Sequence, residues 1–221
     1  PVEREYIKTL LPDINVPEFP TNIYTLNSWF LKVIKDNFSK INLTKEDLKK
    51  QEQYVAKIKR DNFYKNISHE DFLESLDINI QFFIDDYTNV ERYSQLTQKT
   101  NQFNLTTRRY TISEIKNFIN SDNYTVISVS YKDKFSNEGI TGLVILNNKE
   151  ELIEIDTFLL SCRILKRGVE KAIFMKLEEL YPNKDIIGKY IPTSKNMQTK
   201  ELYTTYNFAK IDDNNFIKNG K

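Results

Sequence analysis

The sequence predicts a mixed α/β chain, helical over residues 1–76 and rich in strands from residue 77 to 221. Three features lead there. The first third carries helical apolar spacing behind acid-rich helix starts. Three strand-like runs, YTVISVSY, GITGLVILN and LIEIDTFLL, follow one another with no helical pattern between them. The last of these leads through a basic turn into a long helical pattern, TFLLSCRILKRGVEKAIF.

Taken in order, residues 2–11 have the period of a helix with no preceding cap. The chain opens there without methionine, which reads as a piece cut from something longer. DINVPEFP is short, extended and bounded by proline. In TNIYTLNSWFLKVI, Ile23, Leu26, Phe30 and Ile34 share one helix face behind Thr21 as N-cap. LTKEDLKKQEQYVAKIKRDNFYKNI opens with Thr44 and Asp47 in near capping-box spacing, and its lysines form a solvated face. SHEDFLESL repeats the device with Ser68 and Asp71.

After Leu76 the pattern changes. INIQFFI predicts a strand, residues 90–100 a helix, and residues 113–119 a short helix capped by Ser113. The three consecutive strand runs then predict an antiparallel meander. A helix over 167–180, a strand at DIIGKYI, a helix at TKELYTTY and a strand near FAKI complete the chain. The tail DDNNFIKNGK is expected to fray.

Composition excludes several functions. Thirty-two basic residues nearly cancel 31 acidic ones, so no net field favours nucleic acid or an anionic membrane. No apolar run approaches the roughly 20 residues that span a bilayer, and no signal-peptide pattern opens the chain. A single cysteine makes no internal disulfide and fits a reducing, cytoplasmic setting. One cysteine and one histidine do not supply a structural zinc site, and Asp85 and Asp86 fit no metal-ligand spacing.

Three groups of residues could carry chemistry. The turn RILKRGVEKA presents Arg163, Lys166 and Arg167 before Gly168 and Val169, where a helix N-terminus would offer free N–H groups to a phosphate. The same pattern also describes a solvated turn. Cys162, at its lip, is either a nucleophile favoured as thiolate by those cations or a small buried side chain. Without a bulge, Glu154, Asp156, Phe158, Leu160 and Cys162 would share one strand face, with Asp156 about 20 Å from the thiol. The only histidine, His69, falls in a predicted helix outside the strand-rich part. Thr97, Gln98, Asn101, Gln102 and Asn104 offer neutral donors and acceptors suited to a hydroxylated ligand, or form an ordinary polar loop.

The order of elements, with its basic strand-to-helix turn, resembles the GNAT acyltransferase fold, a mixed sheet flanked by helices. In that fold the turn holds the pyrophosphate of coenzyme A or the phosphate of a carrier protein's pantetheine arm. The segment NMQTKELYTTYNF is similar to the close of that fold, which puts Tyr203 in the position of a general acid. Asn207 stands where glycine is usual, a change the left-handed conformation tolerates. A narrower resemblance rests on QLTQKTNQFNLTTRRYT, DTFLLSCRILKRGVE and GKYIPTSKN, which look like the FkbH-like proteins. Those join a haloacid-dehalogenase-type phosphatase domain to a GNAT-like domain and deliver a glyceryl group to an acyl carrier protein as a thioester.

The resemblance implies that residues 1–76 are the remnant of that phosphatase domain, whose magnesium ligands would lie upstream, so no metal is expected here. It implies Cys162 as acyl carrier, with Arg163, Lys166, Arg167, Gly168 and Val169 holding the phosphopantetheine phosphate. Thr97, Gln98, Asn101, Asn104, Asp156, Tyr190, Thr193, Lys195 and Asn196 would form the acyl pocket. Lys166 replaces the family's usual glycine, which disfavours coenzyme A. Two rivals remain open: a carrier-docking module with a structural Cys162, and an acetyl-coenzyme A enzyme using Tyr203.

Overall fold

The computed structural model describes residues 2–11, 13–38, 45–64 and 68–220. The chain divides into two compact units, Pro1–Gln51 and Glu52–Lys221. In the first, α1 (Val2–Leu10) and α2 (Leu26–Phe38) are joined through a 3-10 turn, Ile23–Thr25. The cap there is Asn22 rather than Thr21, its carboxamide oxygen accepting the Tyr24 N–H at 3.0 Å. No described side chain of this unit is buried; Phe19 meets Trp29 edge to face at 5.2 Å.

Helix α3 (Lys45–Tyr64) follows, but Thr44 and the side chain of Asp47 lie outside the described residues. Helix α4 (His69–Ser75) is capped as expected, with Ser68 Oγ accepting the Asp71 N–H at 3.1 Å. Then come β1 (Asn79–Ile84), α5 (Val90–Lys99) and α6 (Ile112–Ile119). Thr111, not Ser113, caps α6, because Glu114 three residues on closes a reciprocal capping box with it.

Strands β2 (Tyr124–Lys132), β3 (Asn137–Asn148) and β4 (Leu152–Leu160) form the antiparallel meander. Helix α7 (Val169–Leu180) leads to β5 (Asp185–Lys189), the one-turn α8 (Leu202–Thr205), β6 (Ala209–Lys210) and β7 (Asn215–Lys218). The seven strands run in the order β1-β2-β3-β4-β5-β7-β6, with only β4 and β5 parallel. The mixed α/β class is therefore present as a seven-stranded sheet with helices on both faces. The tail expected to fray instead forms β7, inserted between β5 and β6. Phe216 is buried there, and Asp212 ties the turn before it by accepting the Asn214 and Asn215 N–H groups at 2.8 and 2.9 Å.

Side-chain alternation sorts the core. Ile127, Val129, Val144 and Leu146 face α7, whereas Val126, Leu143 and Ile145 face α5 and α6. In β4 the alternation breaks: Ile153, Ile155, Phe158 and Leu160 all join the α7 side. The cause is a bulge at Asp156, where Ile145 pairs with Thr157 and Leu146 with Ile155. One unpaired residue reverses the facing of everything after it, so the single continuous face expected through Cys162 does not exist.

Candidate functional site

The bulge builds the site. Strand β4 pairs with β5 only over its first four residues, Leu152 to Ile155. Beyond that the two strands part, and segment 103–105 fills the gap. Leu105 N–H donates to the Phe158 carbonyl and Leu160 N–H to the Phe103 carbonyl, both at 3.0 Å. On the other side Ile191 N–H donates to the Leu105 carbonyl at 2.8 Å. Asn196, fully buried, pins the wedge by donating to the Asn104 and Ile191 carbonyls at 2.9 and 3.0 Å. Its oxygen accepts the Thr193 N–H at 2.7 Å.

Above this wedge lies a cavity of about 690 Å³. Arg92, Gln95 and Lys99 of α5 form one wall, continued by Thr100, Asn101 and Gln102. Ser161, Cys162 and Arg163 form the opposite wall, with Ser194 and Lys195 at the rim. Cys162 is exposed, on the 3-10 turn Cys162–Ile164 that ends β4. The buried reading of this thiol is thus corrected: the chain leaves the sheet one residue before it. Of the candidate residues, Asn101, Gln102, Cys162, Arg163 and Lys195 line this one cavity.

The others are elsewhere. Thr97 and Gln98 bind the Tyr110 backbone, Thr97 Oγ1 accepting its N–H at 3.0 Å and Gln98 donating to its carbonyl at 3.4 Å. Asn104 is buried and accepts the Thr107 N–H at 2.8 Å. Asp156 does not face the cavity: its bulged carboxylate holds Arg108 and the Tyr110 hydroxyl, the latter at 2.6 Å. Tyr190 is buried with its hydroxyl 3.4 Å from Asn196 Oδ1. Tyr203 is fully buried among Phe174, Phe208 and Phe216, and its hydroxyl donates to the Lys189 carbonyl at 3.4 Å. Burial pushes that hydroxyl's pKa far above the ordinary tyrosine range. A Cβ on Gly188 would come within 2.3 Å of the Tyr203 ring, so the glycine exists to admit it. Tyr203 is a core residue placed where no substrate reaches it.

The turn before α7 has the backbone of a cradle, with Lys166 at φ 61° and Gly168 at φ 74°. Two of its cations and two of its amides already face carboxylates of the chain, whereas the exposed Lys166 side chain has no carboxylate partner among the described residues. Arg163 lies 3.3 Å from Glu138 and Arg167 lies 3.4 Å from Asp133. Arg167 also stacks over the Tyr131 ring, 5.2 Å from its centroid. The buried Arg60 ties both acids together, 2.8 Å from Asp133 and 3.4 Å from Glu138. Burial pushes the Asp133 carboxyl up, but Arg60 and the Phe135 and Ser136 N–H groups outweigh it and hold it below the usual range. At the helix end itself the buried Glu170 carboxylate accepts its own N–H and that of Lys166. Val169, the other expected cradle residue, is buried in the core.

Sequence reasoning missed Arg92, Lys99, Ser161 and Ser194. A signal for two of them was present, since Arg92, Gln95 and Lys99 fall at i, i+3 and i+7 on one helix face. Arg92 donates to the Ile140 carbonyl at 3.1 Å and to Gln95. Burial first, and then the neighbouring Arg163 guanidinium, push the Arg92 pKa down. Among the described residues no cluster of three or more His, Cys, Asp or Glu could hold a metal ion. None of the described helices is long and apolar enough to cross a membrane.

No family model matches this chain, and no curated protein matches it. Among solved structures it is similar to Arabidopsis thaliana NAA60 in complex with a bisubstrate analogue, at 16% identity and a TM-score of 0.47. That likeness covers 63% of this chain and 95% of the other. The GNAT domain of S. lividans PAT matches at 10% identity over 62% of this chain and 88% of its own, with a TM-score of 0.47. A Thermoplasma acidophilum N-acetyltransferase, paia, in complex with coenzyme A matches at 10% identity, over 66% of this chain and 100% of its own, with a TM-score of 0.45. Likenesses of this grade assign neither an activity nor a residue role to the chain.

Proposed function

We propose that this chain is an acyltransferase in which Cys162 carries a short, polar, glyceryl-type acyl group and passes it to the pantetheine thiol of an acyl carrier protein. One observation carries the reading: the chain's only thiol is exposed at a cavity of about 690 Å³ whose lining includes amide and hydroxyl side chains beside its cations. Gln95, Asn101 and Gln102 can satisfy the hydroxyls of such an acyl group once water is displaced. The FkbH-like motifs support the same reading, because they supply both walls: QLTQKTNQF the first and SCR the second.

The chemistry is two exchanges at one carbonyl. Sγ of Cys162 attacks the acyl carbon of an activated donor, a C–S bond forms, and the donor's leaving group departs with the electron pair of the broken bond. The acceptor thiolate then attacks the same carbon and releases Sγ. Thiols are good nucleophiles and acidic leaving groups, so neither step needs a histidine or Tyr203. A carrier protein is the favoured acceptor because Arg163 and Arg167 of the cradle are already paired with Glu138 and Asp133, and Glu170 occupies two of its amides. That weakens the hold on the pyrophosphate of coenzyme A, whereas a carrier also presents a protein surface to bind. The phosphatase-type domain implied by the same motifs would act on the acyl group held here.

The test is transfer. Load the chain from a glyceryl thioester, remove the donor, add holo-carrier protein or coenzyme A, and weigh the acceptors. Acylated carrier is expected, with little acylated coenzyme A and none of either from Cys162→Ser. Equal transfer by Cys162→Ser would overturn the reading.

A further inference from the structure

We propose that the cavity at Cys162 is an anion site, in which Arg92, Lys99 and Lys195 bind a carboxylate or phosphate carried by the molecule that reacts with the thiol. The proposal takes from the acyl-transfer reading only that Cys162 is the reacting atom. Among the described residues, four cationic side chains line the cavity, Arg92, Lys99, Arg163 and Lys195, and no carboxylate does. Arg163 is answered by Glu138 from behind. The other three have no carboxylate partner among the described residues.

Arg92 is the most telling of them. It is half-buried, it stands beside a second guanidinium, and its protein partners are two neutral oxygens, the Ile140 carbonyl and the Gln95 amide. Its terminal nitrogen Nη2 has no protein acceptor among the described residues. A partly desolvated guanidinium facing a like charge is unfavourable until an anion joins it. The planar fork of an arginine suits a two-oxygen acid group. Lys99 and Lys195 come from opposite sides, one at the end of α5 and one after β5, so together they surround rather than merely flank the space. At the alternative anion site, the turn before α7, both arginines are already paired with the chain's own carboxylates, whereas Arg92, Lys99 and Lys195 have no such partner among the described residues.

Two sources supply the same chemistry: an acid group on the acyl donor, or the phosphate of the acceptor's arm. Because Cys162 is the only cysteine, its alkylation can be read as whole-chain mass. We would compare iodoacetate, which is anionic, with the neutral iodoacetamide. On the protein the iodoacetate-to-iodoacetamide rate ratio should exceed that of free cysteine about tenfold, as expected for electrostatic capture in a charged cleft. It should fall toward the free-cysteine value in Arg92→Gln and in Lys195→Gln, the second being an exposed position whose change spares the fold. At constant ionic strength, slower iodoacetamide alkylation with phosphopantetheine than with pantetheine supports the site with the acceptor as source. Slower alkylation with glycerate than with glycerol supports it with the donor as source. A wild-type ratio equal to that of free cysteine, or one unchanged in both variants, overturns the proposal. Alkylation requires no acyl transfer, so loss of the anion site and loss of the transferase reading are separate results.

Discussion

At the residue scale, Lys166 and Glu170 shape the turn before α7, the first through its backbone and the second by occupying two of its amides. Lys166 adopts φ 61°, the left-handed region that costs a side chain about 1–2 kcal/mol. Lys166→Gly should therefore stabilise the fold by roughly 0.5 to 1 kcal/mol after glycine's greater unfolded-state entropy is counted. Urea denaturation checks this, and a loss of stability would mean that the side chain makes a compensating contact. The same variant should gain little coenzyme A affinity, because Glu170 still occupies two amides and both arginines keep their carboxylate partners.

Glu170 also gives a pH dependence. Burial pushes its carboxyl above the ordinary 4.5, so the folded chain holds that proton more tightly than the unfolded one. Its contribution to stability is then greatest below about pH 4.5 and declines as pH rises through the folded value. In Glu170→Gln no proton is lost. The stability of the variant relative to wild type should rise between pH 4 and 7, and a difference constant with pH would contradict the account.

Among elements, β4 does the most, and it shows what a sequence hides. The meander was legible because its strands are apolar on both faces, and the cap of α4 because Ser68 and Asp71 have the right spacing. The bulge was not, since nothing in LIEIDTFLL marks Asp156 as the extra residue. Strand β7 was missed because Phe216 and Ile217 are isolated in a polar tail and gain their partners only from β5 and β6. The cations of the turn were overread, because the acids that neutralise them, Asp133 and Glu138, belong to the β2–β3 hairpin about 30 residues away. Half of the cavity could be named from the motifs; Arg92 shares a helix face with Gln95 and Lys99, but only the tertiary fold brings that face beside Cys162. The bulge is held by Arg108 and Tyr110 on Asp156. Asp156→Ala removes the carboxylate that Arg108, Tyr110 and Thr157 share and should cost about 2 to 3 kcal/mol. It should also loosen the wedge and change the alkylation rate of Cys162. A cost under about 0.5 kcal/mol would show that the bulge needs no clasp.

Over the whole molecule, the site, the buried arginine–carboxylate cluster and both apolar clusters fall in the Glu52–Lys221 unit. The central claim is that Cys162 becomes acylated. The most direct measurement is the intact mass of the chain after a short incubation with a glyceryl thioester, before and after hydroxylamine. The account predicts a gain of one glyceryl group that hydroxylamine removes and that Cys162→Ser never shows. An unchanged mass under conditions in which iodoacetamide still modifies Cys162 would contradict it, because the thiol would then be reachable and yet not used.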